Sequence, residues 1–461
     1  MNPGLAVLQA RLGSRFSTDP EHLRTWGCDW TRAFAPQPAA VVWPADTSEV
    51  ADILALCSHH HLAVVPSGGR TGLAAAAVAT NGEIVLSLDR LQHLGPVDLA
   101  GRTVTVGAGV ANQALQDHLR PFGLWWPVDL ASKGSAQIGG NLATNAGGLR
   151  VLRYGHARHW LLGVQAVTMA GEVLELGGPL VKDNSGYALA QLLAGSEGTL
   201  AVITQATLAL APLPGPTQTL LLACPSLAAV VETLTWLRGR PIVIDAFEVF
   251  SEFCLQHVAR HTGQRRPLPT TAPWYALVEF EDPQSLEIDT ILTGLLEGGA
   301  VSDGAVAVDR QHSARLWQWR ERITESLQAF TPHKNDIAVP VAALPAFGAD
   351  LLAWLDQQPH PHPLPVAVFG HVGDGNLHIN TLRPAEWTTE RFALACKSLD
   401  DDLFALVAAH RGSISAEHGI GLVKKPWLHL TRGPAELAVM RATKRAWDPQ
   451  GLLNPGKIFD L

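Results

Sequence analysis

Residues 44–69 read PADTSEVADILALCSHHHLAVVPSGG. Val50, Ile53, Leu54 and Cys57 recur every three or four places, which puts them on one face of a helix. Asp46, Thr47 or Ser48 supplies its N-terminal cap. Residues 62–65 form a short apolar strand that feeds a glycine loop. EIVLSLDRL and RTVTVGAGV read as strands, and ANQALQDHLRPFGL as a helix ended by proline and glycine. LLGVQAVTM, GEVLELG and LAVITQATLAL, between Trp160 and Leu210, predict three more strands. LAPLPGPTQ, residues 210–218, is a proline-rich break that marks a domain boundary. Beyond it TQTLLLAC, WYALVEF, GAVAV and VAVFGH predict strands separated by longer helical stretches, hence an α+β layer. DDLFALVAAHRG reads as a helix. The prolines and glycines of WDPQGLLNPGKIF exclude regular structure near the end. There is no internal repeat.

Composition narrows the classes. A chain of 461 residues holds two or three domains, and 47% hydrophobic with 16% charged residues excludes disorder. A formal charge of −8 leaves no basic footprint, so nucleic acid is not an expected partner. No apolar run approaches the roughly 20 residues of a membrane span. The opening MNPGLAVLQARLGSRF lacks a charged segment followed by a long apolar core, so secretion is not expected. Cys28, Cys57, Cys224, Cys254 and Cys396 form no C-x-x-C pair, which suits reduced thiols in a cytoplasmic protein and supports neither a cysteine metal site nor a cysteine nucleophile. His59, His60 and His61, and His360 with His362, are expected at solvated loops or helix ends.

FGHVGDGNLHIN, residues 369–380, has two readings, a bare hairpin or a metal site. Asp374-Gly375 suits a two-residue loop. In that register Gly373 faces Asn376, Val372 faces Leu377 and His371 faces His378, with Cβ atoms roughly 5 Å apart. Two imidazoles so placed can share an ion, and Asn380 points the same way. A third ligand has to come from elsewhere in the chain.

Three glycine-rich segments occupy the first half: VVPSGGRTGL (64–73), DLASKGSAQIGGNLATNAGGLRVLRYG (129–155) and GSEGTLAVIT (195–204). Successive main-chain N–H groups in such loops form anion-binding nests. None is a G-x-x-x-x-G-K-[ST] loop or a G-x-G-x-x-G fingerprint, so neither an ATPase nor a Rossmann reading is supported. Three of them in one domain, rich in Ser, Thr and Asn, fit an extended dinucleotide.

PSGGRTG, IGGNLATNAGG, KDNSGY and GSEGT resemble the flavin-binding segments of the vanillyl-alcohol-oxidase-type FAD proteins. HVGDGNLH, AEHGIG and NPGKIF resemble the D-2-hydroxyacid dehydrogenase branch, which contains D-lactate, glycolate and D-2-hydroxyglutarate dehydrogenases. The segments follow the family's order from Pro36 to Phe459. The resemblance implies an α+β fold: a PCMH-type FAD-binding domain of two α+β subdomains at 36–213, with segment 1–35 packed on it. A substrate or cap domain with an antiparallel sheet and flanking helices would follow at 214–410, and 411–461 would return to the FAD domain. It assigns FAD binding to Pro66, Ser67, Gly68, Gly69, Arg70, Thr71 and Gly72 in the first loop. In the second it assigns Asp129, Ser135, Gly139, Asn141, Thr144, Gly147, Gly148 and Tyr154, and then Glu197, Gly198, Ile203 and Asn454. Arg70 stands where some relatives carry a histidine bonded to FAD, so the FAD is expected to be non-covalent.

The same resemblance makes His371, His378 and Glu417 ligands of a divalent metal, zinc or manganese, and His418 the base that takes the substrate hydroxyl proton. Otherwise His418 is a helix-capping or packed histidine, and Asp374 only shapes the turn. ARLWQWRERITESLQAFTPHKND, residues 314–336, predicts a helix ending near Pro332, with Leu316, Ile323 and Leu327 on one face and Arg320 and Thr324 four apart. Alone it reads as a charged surface helix. The resemblance instead turns Arg320, Thr324 and Lys334, with Asn380, towards substrate carboxylates. The implied activity is FAD- and metal-dependent oxidation of a D-2-hydroxyacid, D-2-hydroxyglutarate first. D-lactate or glycolate dehydrogenase is the alternative in the same class. A flavoprotein subunit of an electron-transfer complex, or a purely structural metal hairpin, are alternatives outside it. The implied partners are a small hydroxyacid and an acceptor such as an electron-transfer flavoprotein or a quinone, with a homodimer compatible.

Overall fold

In the computed structural model, which describes residues 3–281, 288–358 and 364–461, Asp46 caps the helix Thr47–His59 by accepting the Glu49 N–H, and Val50, Ile53, Leu54 and Cys57 are its buried face. His59 and His60 close that helix, and His61 follows with φ +51°. His360 and His362 lie outside the described residues. The chain divides into two units. The first comprises residues up to Gly148, Tyr154–Leu213 and Glu417–Leu461; the second comprises Leu149–Arg153 and Pro214–Ala416.

The first unit carries two four-stranded sheets. One runs Phe16–Ser17, Ala40–Val42, Ile84–Ser87, Val64–Ser67, its last three strands parallel and buried, as continuous apolar runs require. The C-terminal segment adds to its edge, where the Asn454 N–H donates to Val64 O at 2.7 Å. The other sheet is antiparallel in the order Thr103–Gly107, Val202–Ala209, Leu161–Val167, Val173–Gly177, with the short helix Ile138–Ala143 packed on strand Val202–Ala209.

The second unit is built on one seven-stranded antiparallel sheet, in the order Asp303–Val306, Thr217–Cys224, Trp274–Glu281, Ile244–Ser251, Val366–Gly370, Asn376–Thr381, His333–Ala338. Helices Glu252–Thr262, Arg310–Glu321 and Ile323–Leu327 bury Leu255, Leu316, Trp319 and Ile323 against Phe250, Tyr275 and Phe369 of the sheet. The long helix Thr389–Ala409 packs beside strand His333–Ala338. Both units are mixed α+β.

Several elements differ from expectation. The helix over 314–332 is two helices, broken at Arg322, so Arg320 and Thr324 do not sit side by side: Arg320 is buried and Thr324 exposed. Arg320 faces inwards, buried on the same helix as Leu316 and Trp319, and pairs with Glu248 in the sheet. Strand Ile244–Ser251 was not anticipated, because Asp245 and Glu248 interrupt its apolar run, yet both are fully buried. Strand His333–Ala338 and helix Pro434–Trp447 were also not anticipated. The second unit keeps the chain beyond residue 410: Ser413 exchanges both main-chain bonds with Ala338 (2.7 and 3.0 Å), and the unit ends at Ala416. Among the described residues no helix is long and apolar enough to cross a membrane.

Candidate active site

In the first unit, strand Val64–Ser67 delivers the loop of residues 68–72, helix Ile138–Ala143 the second glycine segment, and Glu197 with Gly198 the third. Together with His418 they line one cleft. Of the residues expected to hold FAD, Pro66, Gly68, Gly69, Arg70, Thr71, Gly72, Gly139, Asn141, Thr144, Glu197, Gly198 and Ile203 are on its wall. The rest do other work. Ser67 bonds Trp26 O at 3.5 Å, and Asp129 pairs with Lys133 at 3.0 Å. The Ser135 carbonyl packs against Gly69, and the Tyr154 ring lies edge-on to Trp125. The Gly148 N–H donates to Glu417 Oε1 at 2.9 Å, and Gly147 is likewise off the wall. Asn454 Nδ2 donates to Ala76 O and Glu197 O, tying the first loop to the third.

The wall fits an extended cofactor. A Cβ at Gly140 would meet nothing within 4 Å, so this glycine leaves open space in the cleft; at Gly69 it would come 2.0 Å from Ser135 O and at Gly139 2.6 Å from Ala108 Cβ, so these two allow close packing. Gln137 Oε1 and Asn141 Nδ2, both on wall residues, have no partner among the described residues. Arg70, at φ +58°, donates to Gly68 O at 2.9 Å and stacks over Trp26. Burial raises the Glu197 carboxyl pKa above its ordinary value, opposed by hydrogen bonds from the Ile420 and Gly421 N–H groups at 2.7 Å. Those bonds fix the turn directly after His418. Sequence reading missed Gln137, although it stands immediately before IGGN and donates to Asp89 at 2.7 Å. It also missed His156, whose imidazole pKa is lowered by burial, with Glu417 acting against that shift.

In the second unit the hairpin is real but its register is shifted. Phe369 faces His378 and Val368 faces Ile379, and the turn occupies residues 371–375 rather than Asp374-Gly375 alone. The Gly373 N–H is claimed by Phe247 O and its carbonyl by Arg238, which widens the turn. The shift is two residues, so side-chain parity survives, and the His371 and His378 rings remain 5.3 Å apart. His371 Nδ1 bonds Glu248 Oε1 at 2.7 Å, and His378 Nδ1 lies 3.6 Å from Asp336 Oδ1. Asp336 faces His378 across the ladder, and Lys334 faces Asn380. Opposed residues share a face, so Lys334, Asp336, His378 and Asn380 stand together. Glu248 is fully buried: burial opposes its charge, but the charges of His371 and Arg320 and their hydrogen bonds outweigh it and hold its pKa below the usual range. Arg320 Nε donates to Glu248 Oε2 at 2.7 Å. Lys334 is half-buried, has no ion-pair or hydrogen-bond partner for its ammonium among the described residues, and has its pKa lowered by burial. Glu248 and Asp336 carry no sequence signal, because each lies in a strand that was not anticipated.

Residues 38–177 match the family described as FAD binding domain, and residues 213–458 match that described as FAD linked oxidases, C-terminal domain. The chain belongs to the FAD-linked oxidase family. It is 44% identical to a D-2-hydroxyglutarate dehydrogenase of Xanthomonas citri pv. viticola, over 99% of this chain and 96% of that one. Identity is 41% to the Stutzerimonas stutzeri protein of the same name, covering 96% and 95%, and 38% to the mitochondrial one of Bos taurus, covering 99% and 83%. The fold is shared with 4-ethylphenol oxidase from Gulosibacter chungangensis (TM-score 0.77, 17% identity, 99% and 97% covered) and with p-cresol methylhydroxylase (TM-score 0.75, 16%, 100% and 97%). The expected vanillyl-alcohol-oxidase-type, PCMH-type architecture is therefore that of this FAD-linked oxidase.

Proposed function

We propose that this FAD-linked oxidase is a dehydrogenase that oxidises D-2-hydroxyglutarate to the 2-oxoacid. The observation that carries the reading is His418 on the wall of the cleft formed by the three FAD-binding loops. The named relatives at 38–44% identity point to the substrate. What FAD would supply in that cleft is a hydride acceptor for the substrate Cα. His418 takes the 2-hydroxyl proton at its imidazole. His371, His378 and Glu417 would hold a divalent cation, and two nitrogens with one oxygen suit zinc. That ion would lower the hydroxyl pKa. The fit rests on the two neighbouring imidazoles and on their carboxylate partners, Glu248 and Asp336. Glu417 follows Ala416, whose N–H is held by Asp336 at 3.2 Å.

The diacid preference rests on cations in the second unit. Arg320 spends Nε on Glu248, and its Nη1 and Nη2 have no protein partner among the described residues, leaving a two-pronged donor for a carboxylate. Lys334 offers a second cation, with Asn380 opposite it. D-lactate has a methyl group where D-2-hydroxyglutarate has its distal carboxylate, and a desolvated cation without a partner is costly. Comparing kcat/KM for D-2-hydroxyglutarate, D-malate and D-lactate in wild type and Lys334→Ala tests this. The expected order is diacid, malate, lactate, with the variant narrowing the gap. Equal losses on the diacid and lactate would remove Lys334 from substrate choice.

A further inference from the structure

Glu248 lies within strand Ile244–Ser251, in the interior of the seven-stranded sheet, with no exposed surface. An uncompensated carboxylate there would be strongly destabilising. It has two donors, one per oxygen: His371 Nδ1 on Oε1 and Arg320 Nε on Oε2, each at 2.7 Å. We propose that Glu248 is the positioning residue of the site, a single carboxylate that fixes the His371 ring and the Arg320 guanidinium relative to each other. The inference rests on the proposed function, in which one partner binds a cation and the other a substrate carboxylate.

The chemistry at each end is specific. A carboxylate accepts only, so the His371 hydrogen sits on Nδ1 and Nε2 is the atom able to ligate an ion. Holding Arg320 by Nε leaves Nη1 and Nη2 as the presented pair, and the Phe369 ring, 4.9 Å from the guanidinium carbon, supports the plane. His378 has a different brace: Asp336 also takes Asn376 Nδ2 at 2.7 Å and the Ala416 N–H at 3.2 Å, so it links the hairpin to the main chain. Glu248 joins His371 to Arg320 by hydrogen bonds, while the Phe369 ring touches both Arg320 and His378. Strand alternation explains how: Glu248 shares a face with Phe250, Phe250 is opposite Phe369, and Phe369 is opposite His378.

The test uses the flavin-loaded full chain as wild type, Glu248→Gln and Glu248→Asp. Zinc affinity is measured by chelator competition, and kcat and KM with D-2-hydroxyglutarate and D-lactate. A glutamine must turn its NH2 towards one of the two donors. Glu248→Gln is therefore expected to keep the flavin spectrum, lose roughly 10–100-fold in zinc affinity, and raise KM for the diacid by a larger factor than for lactate. Glu248→Asp keeps the charge but is too short to reach both donors, so smaller losses of the same kind are expected; it carries the test if the glutamine variant does not fold. If wild type binds zinc and reduces its flavin while the variants keep unchanged zinc affinity and an unchanged KM ratio, Glu248 is only a structural ion pair and the proposed function stands. A wild type whose flavin D-2-hydroxyglutarate does not reduce overturns the proposed function, and one that is reduced but binds no zinc overturns the Glu248 inference alone.

Discussion

Lys457 is buried with its ammonium unpartnered among the described residues, and its pKa falls to about 8, mainly through burial, with Glu83, Asp29 and Glu197 opposing the fall and Lys425 adding to it. The ordinary value is 10.5, so between about 8 and 10.5 the unfolded chain binds more protons than the folded one. Stability therefore rises with pH across that window, and at pH 7 the full cost of the charge is present. Lys457→Met is expected to gain roughly 1–3 kcal/mol at pH 7 and to flatten the rise. Denaturant unfolding at pH 7 and at pH 9.5 measures both, and an undiminished slope would place the titration elsewhere. Glycines of the cleft predict a second contrast. Gly140→Ala should fold normally and bind FAD more weakly, because its methyl group enters open space. Gly69→Ala should lose both FAD and stability, because its Cβ would collide with Ser135 O. Fluorescence titration of apoprotein with FAD separates the two.

Among the elements, the segment Leu149–Arg153 is unusual. It lies inside the second glycine-rich segment, yet it belongs to the second unit. Arg150 pairs with Asp245 at 3.1 Å and Glu279 at 2.9 Å, and Arg153 pairs with Asp245 and Glu281. Asp245 is fully buried, so its loss leaves two arginines short of a partner. Asp245→Asn is expected to loosen the segment and expose it to trypsin after Arg150 or Arg153. Resistance equal to wild type would mean that Glu279 and Glu281 suffice. This grip had no sequence signal, since its acids lie on strands far away in the chain. The hairpin was legible because apolar runs flank a turn-forming pair, but its register was not: a contact with Phe247, distant in sequence, decides the turn. The helix of residues 47–59 was legible to its cap because all its determinants are local. The burial of Arg320 was not, because it is matched by a buried Glu248 that no periodicity reveals.

At the scale of the molecule, the residues named in the proposed function are distributed over both units. The first holds the glycine-lined cleft with His418, and the second holds the hairpin histidines, Arg320 and Lys334. The chain passes from the first unit to the second between Leu213 and Pro214, within the proline-rich stretch, but the discontinuous membership of 149–153 and 417–461 could not be read from local pattern. His418 and Glu417 were expected from a motif, whereas Glu248 and Asp336 emerge only from packing. The most direct test of the whole account is anaerobic mixing of the flavin-loaded protein with D-2-hydroxyglutarate, with its L-enantiomer and with D-lactate, before and after removal of metal by a chelator. The account predicts rapid loss of the oxidised flavin band with D-2-hydroxyglutarate, slower loss with D-lactate, none with the L-form, and restoration by added zinc of the activity removed by the chelator. Flavin that stays oxidised with D-2-hydroxyglutarate in the metal-loaded protein would contradict it.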